Sequence, residues 1–440
     1  MKKLSLQGLA ITTFVFIMMA GVSKIADLHL LSDFDAMSQA FKEFQITDIV
    51  MSKLRPDPLV DQRIVLVNLA RSRGLIAQQI TKISQHKPKV IGIDAFFRCE
   101  GGLYDTINCP QLLDTLGNLL LSNAIEEAGN VVLVTKLLQT KKLLSEQGDT
   151  DVYDSIEYSD PKFRIYAKNA FASLPTDATY QDDVKQCRSL FPSMMVKDKR
   201  ELAFSVQIAM LYDSVKTSNF LARGNEEEII NFRGNVELID NRLGVLQIKE
   251  LSSTGYPVMF YAVDWDQLLN DEYFKDIFTG SIVLMGGMGD FFGDPSWEDK
   301  FFTPLNKKPA GRANPDMFGL VVHANIIAMI LNEDYVDELP EWAKVVIAIV
   351  VCFLTIILFI IIDRRLPMWF DTLSVTIQIV QILFIAGIMV FAFAVSSFKL
   401  DLGLSLAASA LVGPAYDIYK GFENQIKAWL TKEPTEVLNE

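Results

Sequence analysis

The sequence predicts an α/β extracytoplasmic domain with a mainly parallel sheet, plus four transmembrane α-helices. Three observations predict it. The 440 residues are 50% hydrophobic and only 22% charged, and the mean hydropathy of +0.23 is high for a soluble protein. Charge is distributed unevenly, and the charge-poor stretches lie near the two ends of the chain. The polypeptide between them alternates short β-branched runs with helical apolar spacing, the rhythm of βαβ units. This composition disfavours a disordered chain, a small disulfide scaffold and a wholly soluble enzyme. The net charge of −13 argues against nucleic acid as a partner, because phosphate contacts need a basic surface.

The first apolar segment, Leu6 to Val22, follows Lys2 and Lys3 and holds no ionised side chain. It is borderline in length for a span and long for a signal-peptide core. Met18-x-Ala20 is a poor cleavage site, so an uncleaved anchor is expected rather than a removed signal. Ala343 to Ile362 gives about twenty residues, enough to cross about 30 Å of hydrocarbon. Tyr335 and Trp342 stand at one mouth and Asp363-Arg364-Arg365 at the other. A third span is expected near Leu373 to Val395, and a weaker fourth from Leu402 to Tyr416 after the loop Ser396 to Asp401.

Lys2/Lys3, Arg364/Arg365 and Lys420/Lys427 fall on one side and Lys399 on the other, so both termini are expected in the cytoplasm. The expected organisation is an anchor at 1–26, a periplasmic domain at 27–340, a three-helix bundle at 341–418 and a short tail at 419–440. Gln378 and Gln381 share a helix face, and their amides need partners that acyl chains cannot supply. Gly403 and Ala407, like Ser405, Ser409 and Gly413, place small residues at i,i+4 spacing, which allows close helix packing. No ionisable residue stands mid-membrane in these segments, which disfavours a transport path.

In the outside domain, Arg63 to Leu69 reads as a buried strand, and Gly74 to His86 as an amphipathic helix through Leu75, Ile76, Ile80 and Ile83. Lys89 to Phe97 is a second strand, Leu119 to Ala128 a helix and Asn130 to Thr135 a third strand. Leu138 to Lys197 reads as a loop-rich insertion. The pattern then resumes with a helix at Arg200 to Val215, strands at Glu228 to Phe232 and Ser281 to Met285, and a helix at Phe318 to Leu331. Cys99 and Cys109 flank a short polar loop, and in an oxidising compartment a disulfide between them is expected. Cys187 is either free or an alternative partner, and Cys352 reads as a packing residue inside a span.

These blocks resemble the CHASE2 family of bacterial extracytoplasmic sensor domains. One is Ile64-Val-Leu-Val-Asn-Leu69, with Arg73, the helix through Ile80 and Lys89-Val-Ile-Gly-Ile-Asp94. The other is Gly280-Ser-Ile-Val-Leu-Met-Gly286, with Asp294, Phe302-Thr303-Pro304 and Gly319-Leu-Val-Val-His323-Ala324-Asn325-Ile326. One N-terminal span and three C-terminal spans match as well, so the resemblance covers the chain to about residue 418. It implies a bacterial inner-membrane location and a cytoplasmic output module such as a kinase or nucleotide cyclase. About 22 residues follow the fourth span, too few for a catalytic domain, so output is expected from a separate protein partner.

Candidate site residues are sparse. Gly286-Gly-Met-Gly-Asp-Phe-Phe-Gly-Asp294 follows a strand but lacks a Gly-Lys-Ser/Thr, and Asp290 and Asp294 would repel a phosphate. It reads as a turn leading to Thr303, or as a loop facing a small ligand or a cation. Asp94 ends a strand, where open α/β sheets place ligand-binding loops. His323 lies beside Asn325 on a helix and reads as a packing residue before a ligand or base. No Ser or Cys pairs with a histidine and an acid in a recognisable motif, so no enzyme, cofactor or metal site is expected. In the tail, Phe422, Ile426 and Trp429 fit an interfacial helix or a docking face anchored by Trp429. The expected function is a non-catalytic membrane sensor that binds an unknown ligand or protein outside. A structural subunit of an envelope complex is the alternative, and homo-oligomerisation is left open.

Overall fold

The computed structural model describes residues 2–27, 48, 50–54, 61–99, 107, 109–139, 153–176, 185–236, 258–290, 294, 299–306 and 315–430. The chain divides into two compact units, Met51–Val336 and a second built from Met1–Val50 with Asp337–Glu440. The main helices along the chain are α1 (Lys2–Asp27), α2 (Arg73–Gln85), α3 (Thr115–Ala128), α4 (Phe204–Tyr212), α5 (Ser214–Ala222), α6 (Trp265–Leu269), α7 (Gly319–Asn332), α8 (Glu341–Arg365), α9 (Phe370–Ser396) and α10 (Gly403–Leu430).

In the Met51–Val336 unit, one eight-stranded sheet is formed by β1 (Ile64–Asn68), β2 (Val90–Asp94), β3 (Val131–Leu138), β4 (Ser155–Glu157), β5 (Lys168–Phe171), β6 (Asn235–Val236), β7 (Val258–Val263) and β8 (Ile282–Gly286). The order is β6-β7-β1-β8-β2-β3-β4, with β5 also against β3. All pairings are parallel except β3 with β4. The central strands are β-branched and buried on both faces, as a helix-covered parallel sheet requires. Val65, Val67, Ile91, Ile93, Val283 and Met285 alternate onto one face and pack under Ile76, Ile80 and Ile83 of α2 and Leu121 and Ile125 of α3. On the other face α4 crosses so closely that a Cβ on Gly92 would stand 2.4 Å from Ile208 Cδ1. α7 is buried from Gly319 to Leu331, and a helix apolar all round belongs inside.

The sequence expectation departs from the structure in several places here. Arg200–Val215 is not one helix. It is the strand Lys199–Leu202, then α4, then α5, because Asp213 is extended (φ −142°) and caps α5 by accepting from Lys216 N. The stretch read as loop-rich contributes β4, β5, the short helix Pro161–Arg164 and the hairpin Ser193–Val196 with Lys199–Leu202; 140–152 and 177–184 lie outside the described residues. β7 carries no strand signal in the sequence: only Val258 and Val263 are β-branched, and a short apolar run has no diagnostic period.

In the other unit, three helices among the described residues are long and apolar enough to cross a membrane: Leu4–Gly21, Glu341–Arg365 and Pro367–Ser396. α10 is 28 residues long but is not among them. It runs unbroken through the residues expected to divide into a span and a tail. Ile11 and Val15 of α1, Ile356, Phe359 and Ile360 of α8, and Ala408, Val412, Ala415 and Tyr416 of α10 share one buried core. Ser405, Ser409 and Gly413 lie on the buried face of α10, whereas Gly403 and Ala407 lie on its exposed face. Gly403 and Ala407 therefore do not pack helices together within this chain, because the buried stripe follows 405, 408, 409, 412, 413 and 416.

The glutamines have partners. Gln381 Oε1 accepts from Thr355 Oγ1 of α8 at 3.0 Å. Gln378 Nε2 donates to the carbonyls of Ser409 (2.9 Å) and Ala410 (3.2 Å) on α10. Pro414 sits inside α10 and has no N–H, so the Ala410 carbonyl four residues earlier lacks its helical donor. Gln378 supplies that donor from the neighbouring helix. Gly413 makes the approach possible: a Cβ there would lie 2.6 Å from Gln378 Oε1. Gln378→Leu should therefore cost about 1 kcal/mol of bundle stability. In a Pro414→Ala background, where the helix donates its own N–H, the same change should cost much less. Unfolding of the four variants in detergent measures the coupling, and equal costs in both backgrounds would refute it.

Candidate functional site

Three adjacent strands end in register at Asn68, Gly286 and Asp94. β1 and β2 lead into the helices of one face, α2 and α3, while β8 leads to α7 on the opposite face. Neighbouring strands whose connections diverge to opposite faces leave a crevice at their carboxyl ends, the usual ligand position in open α/β sheets.

Asn68 is fully buried and organises one side of that edge. Its Nδ2 donates to Asp264 Oδ1 (2.9 Å) and the Gly289 carbonyl (3.0 Å), and its Oδ1 accepts from Met288 N (2.9 Å). Asp264 is also the N-cap of α6, in a capping box with Gln267. Gln79 of α2 clamps the chain leaving β1, accepting from Ala70 N and donating to the Asn68 carbonyl, both at 2.9 Å. At Gly289 φ is +87°, and a Cβ would fall 2.5 Å from Asp294 Cβ, so this turn needs glycine.

Asp290 N donates to Asp294 Oδ2 at 2.9 Å, the Asp290 carboxylate pairs with Arg71, and Lys300 Nζ donates to the Asp294 carbonyl at 2.7 Å. The two acids singled out from sequence are thus tied into the turn itself. Asp94 differs. Burial first, and the negative charge of Asp299 second, push its carboxyl up to about 7. Among the described residues no group of three or more His, Cys, Asp or Glu could hold a metal ion.

Of the other candidates, Thr303 and Asn325 are hydrogen-bonded within the fold, while His323 is buried with its Nδ1 unpartnered. Thr303 donates N and Oγ1 to the two oxygens of Asp316 at 2.9 and 2.6 Å, and Asn306 Nδ2 adds a third bond at 3.2 Å. Asp316 was not singled out from sequence. It is buried, and burial pushes its carboxyl up to about 7 against the lowering effect of those bonds. Asn325 accepts from Arg233 N and Gly234 N and donates to the carbonyls of Gly234 and Val321. His323 is 3% exposed and packs edge-on against Phe204 at 5.2 Å. Burial lowers its imidazole to about 4, so it is neutral at physiological pH.

That shift fixes a pH dependence. A depressed histidine stabilises the fold above the unfolded pKa near 6.5, and the contribution is lost as pH falls toward about 4. His323→Phe should therefore be less acid-sensitive than the parent. The gap between the two should close by about 2–3 kcal/mol from pH 7 to pH 4.5. Thermal melts at both pH values measure it, and a gap independent of pH would contradict it. The acids Asp94, half-buried, and Asp316, buried, act in the opposite sense, losing stability as pH rises toward about 7, but they are common to both proteins.

Beside this edge, the segments after β1 and β2 enclose a cavity of about 420 Å³. Its wall includes the disulfide between Cys99 and Cys109, whose Cα atoms are 5.7 Å apart. Cys187 and Cys352 are buried outside that bond. Away from this unit, the last turns of α10 expose Phe422, Ile426 and Trp429.

The family model of the CHASE2 domain matches residues 12–359. No curated protein and no solved structure matches the chain. The match begins inside α1, takes in the whole sheet with its carboxyl-end crevice, and ends inside α8. The chain belongs to the CHASE2 family of sensory domains.

Proposed function

We propose that this protein is a non-catalytic membrane sensor whose α/β unit lies in the periplasm, binds a ligand or protein there, and biases the helix bundle for a separate partner to read. The observation that carries this reading is the reach of the family match, which joins a sensory domain to membrane-length helices on both flanks.

The charge pattern of the bundle supports both termini being cytoplasmic and α10 being a fourth span. Arg364 Nη2 donates to Gln7 Oε1 at 2.8 Å and Lys420 Nζ to Asp363 Oδ1 at 2.5 Å, which gathers α1, the end of α8 and α10 at one basic edge. Asp337–Glu338 pairs with Phe398–Lys399 at the opposite edge, where Lys399 meets Glu338 at 2.7 Å. The exposed Trp429 end of α10 is then on the cytoplasmic side, available to a partner. Binding outside shifts the bundle only by its differential affinity for two packings.

The test is purification of the full chain in mild detergent with its bound proteins. The reading expects a kinase or nucleotide-cyclase activity that changes when periplasmic extract is added. A fixed stoichiometric assembly indifferent to the extract would instead make the protein a structural subunit of an envelope complex.

A further inference from the structure

The cavity at the carboxyl ends of β1 and β2 has an apolar floor, from Leu69, Ile76, Ala95 and Phe96, and three guanidinium groups, from Arg71, Arg73 and Arg98. No acidic side chain lines it among the described residues. The rim arginines are engaged elsewhere: Arg71 pairs with Asp290, and Arg98 meets Glu157 at 3.4 Å.

Arg73 is different. It is 6% exposed, at the first turn of α2. Its hydrogen bonds leave from Nη1 alone, to Asn118 Oδ1 at 2.5 Å and the Gln111 carbonyl at 3.4 Å, and its guanidinium carbon stands over the Phe163 ring, 5.4 Å from the centroid. Nε and Nη2 have no hydrogen-bond partner and no carboxylate oxygen stands within ion-pair distance among the described residues. Asp160 and Asp114 act on it only through space, and burial still lowers its pKa. A guanidinium always carries its charge, and a buried charge without a counter-ion costs several kcal/mol. A planar fork with two idle donors fits a carboxylate. The cavity volume falls within the range of small-molecule sites.

We infer that this cavity binds a small organic carboxylate, whose charged group sits on Arg73 and whose apolar body lies on Leu69, Ile76 and Ala95. The inference rests on the sensory reading for its purpose, but the binding is measurable by itself. Arg71 and Arg98 steer the anion in, and α2, which carries Arg73, is the element that responds.

Titration of the full-length protein in detergent with hexanoate, hexanol and hexylamine, followed by calorimetry at low salt, tests it. Saturable binding is expected for hexanoate alone. Arg73→Gln should weaken it by at least about 30-fold, the usual cost of removing one partner of a buried charge pair. Should that variant fail to fold, Ala95→Leu decides: it narrows the cavity without touching the arginine, and it should weaken hexanoate about tenfold or more. Hexanol binding as well as hexanoate, or both variants binding as the parent does, would overturn the site. The two readings separate cleanly. A partner activity that answers periplasmic extract equally in Arg73→Gln sinks the cavity and leaves the sensor, whereas hexanoate binding that never alters partner activity does the reverse.

Discussion

Asn325→Leu should destabilise the α/β unit by about 4 kcal/mol, near the upper end for a single substitution. Asn325 is fully buried in α7, and its amide is the partner of the segment that leads into β6. Its Oδ1 accepts from Arg233 N at 2.8 Å and Gly234 N at 3.2 Å, while Nδ2 donates to the Gly234 carbonyl at 2.9 Å. Leucine has a similar volume, so the substitution opens little space. What it leaves behind is two amides and one carbonyl buried without partners, each costing about 1–3 kcal/mol. Hydrogen exchange should show the Arg233 and Gly234 amides losing protection first. A loss of less than about 1 kcal/mol with those amides still protected would mean Asn325 does not hold the segment.

Asn68→Asp should cost a similar amount, about 3–5 kcal/mol at pH 7, for a different reason. Both groups that receive the Asn68 Nδ2 protons are acceptors, the Asp264 carboxylate and the Gly289 carbonyl. An aspartate there has no N–H to give and sets a second negative charge against Asp264 in a fully buried place. The turn from Gly286 to Asp290 loses its anchor, and α6 feels the strain through its capping residue. Because a protonated acid regains a donor, the defect should shrink as pH falls. Melts of parent and variant at pH 5 and pH 8 measure this, and a penalty that is constant or larger at pH 5 would contradict the assigned partners.

Much of the sheet is readable because its central strands are short apolar runs rich in β-branched residues and α2 keeps clean apolar spacing. β4, β5 and β6 are not, since strands of two to four residues carry no usable period. Site residues divide along a different line. Asp94 could be placed at a strand end from pattern alone. The roles of Thr303, His323 and Asn325 depend on what they touch, and those partners, Asp316, Phe204 and Gly234, are 13 to 119 positions away. Arg73 was visible as part of a motif, but its burial comes from Asn118 and Phe163, which the sheet brings to it from distant sequence. On α10, small residues at 403 and 407 and at 405, 409 and 413 gave two equivalent stripes. Only the position of Pro414 opposite Gln378 selects the second.

The central claim is that the α/β unit lies outside the cytoplasm while the far end of α10 lies within. Ile165 is 66% exposed on that unit and Trp429 is 76% exposed on α10, and the thiols of Cys187 and Cys352 are buried. Cells carrying Ile165→Cys or Trp429→Cys, treated as intact spheroplasts with a membrane-impermeant maleimide, give the most direct test. The account predicts that Ile165→Cys is labelled at once and Trp429→Cys only after the membrane is permeabilised. Labelling of Trp429→Cys in intact spheroplasts, with Ile165→Cys protected, would contradict it.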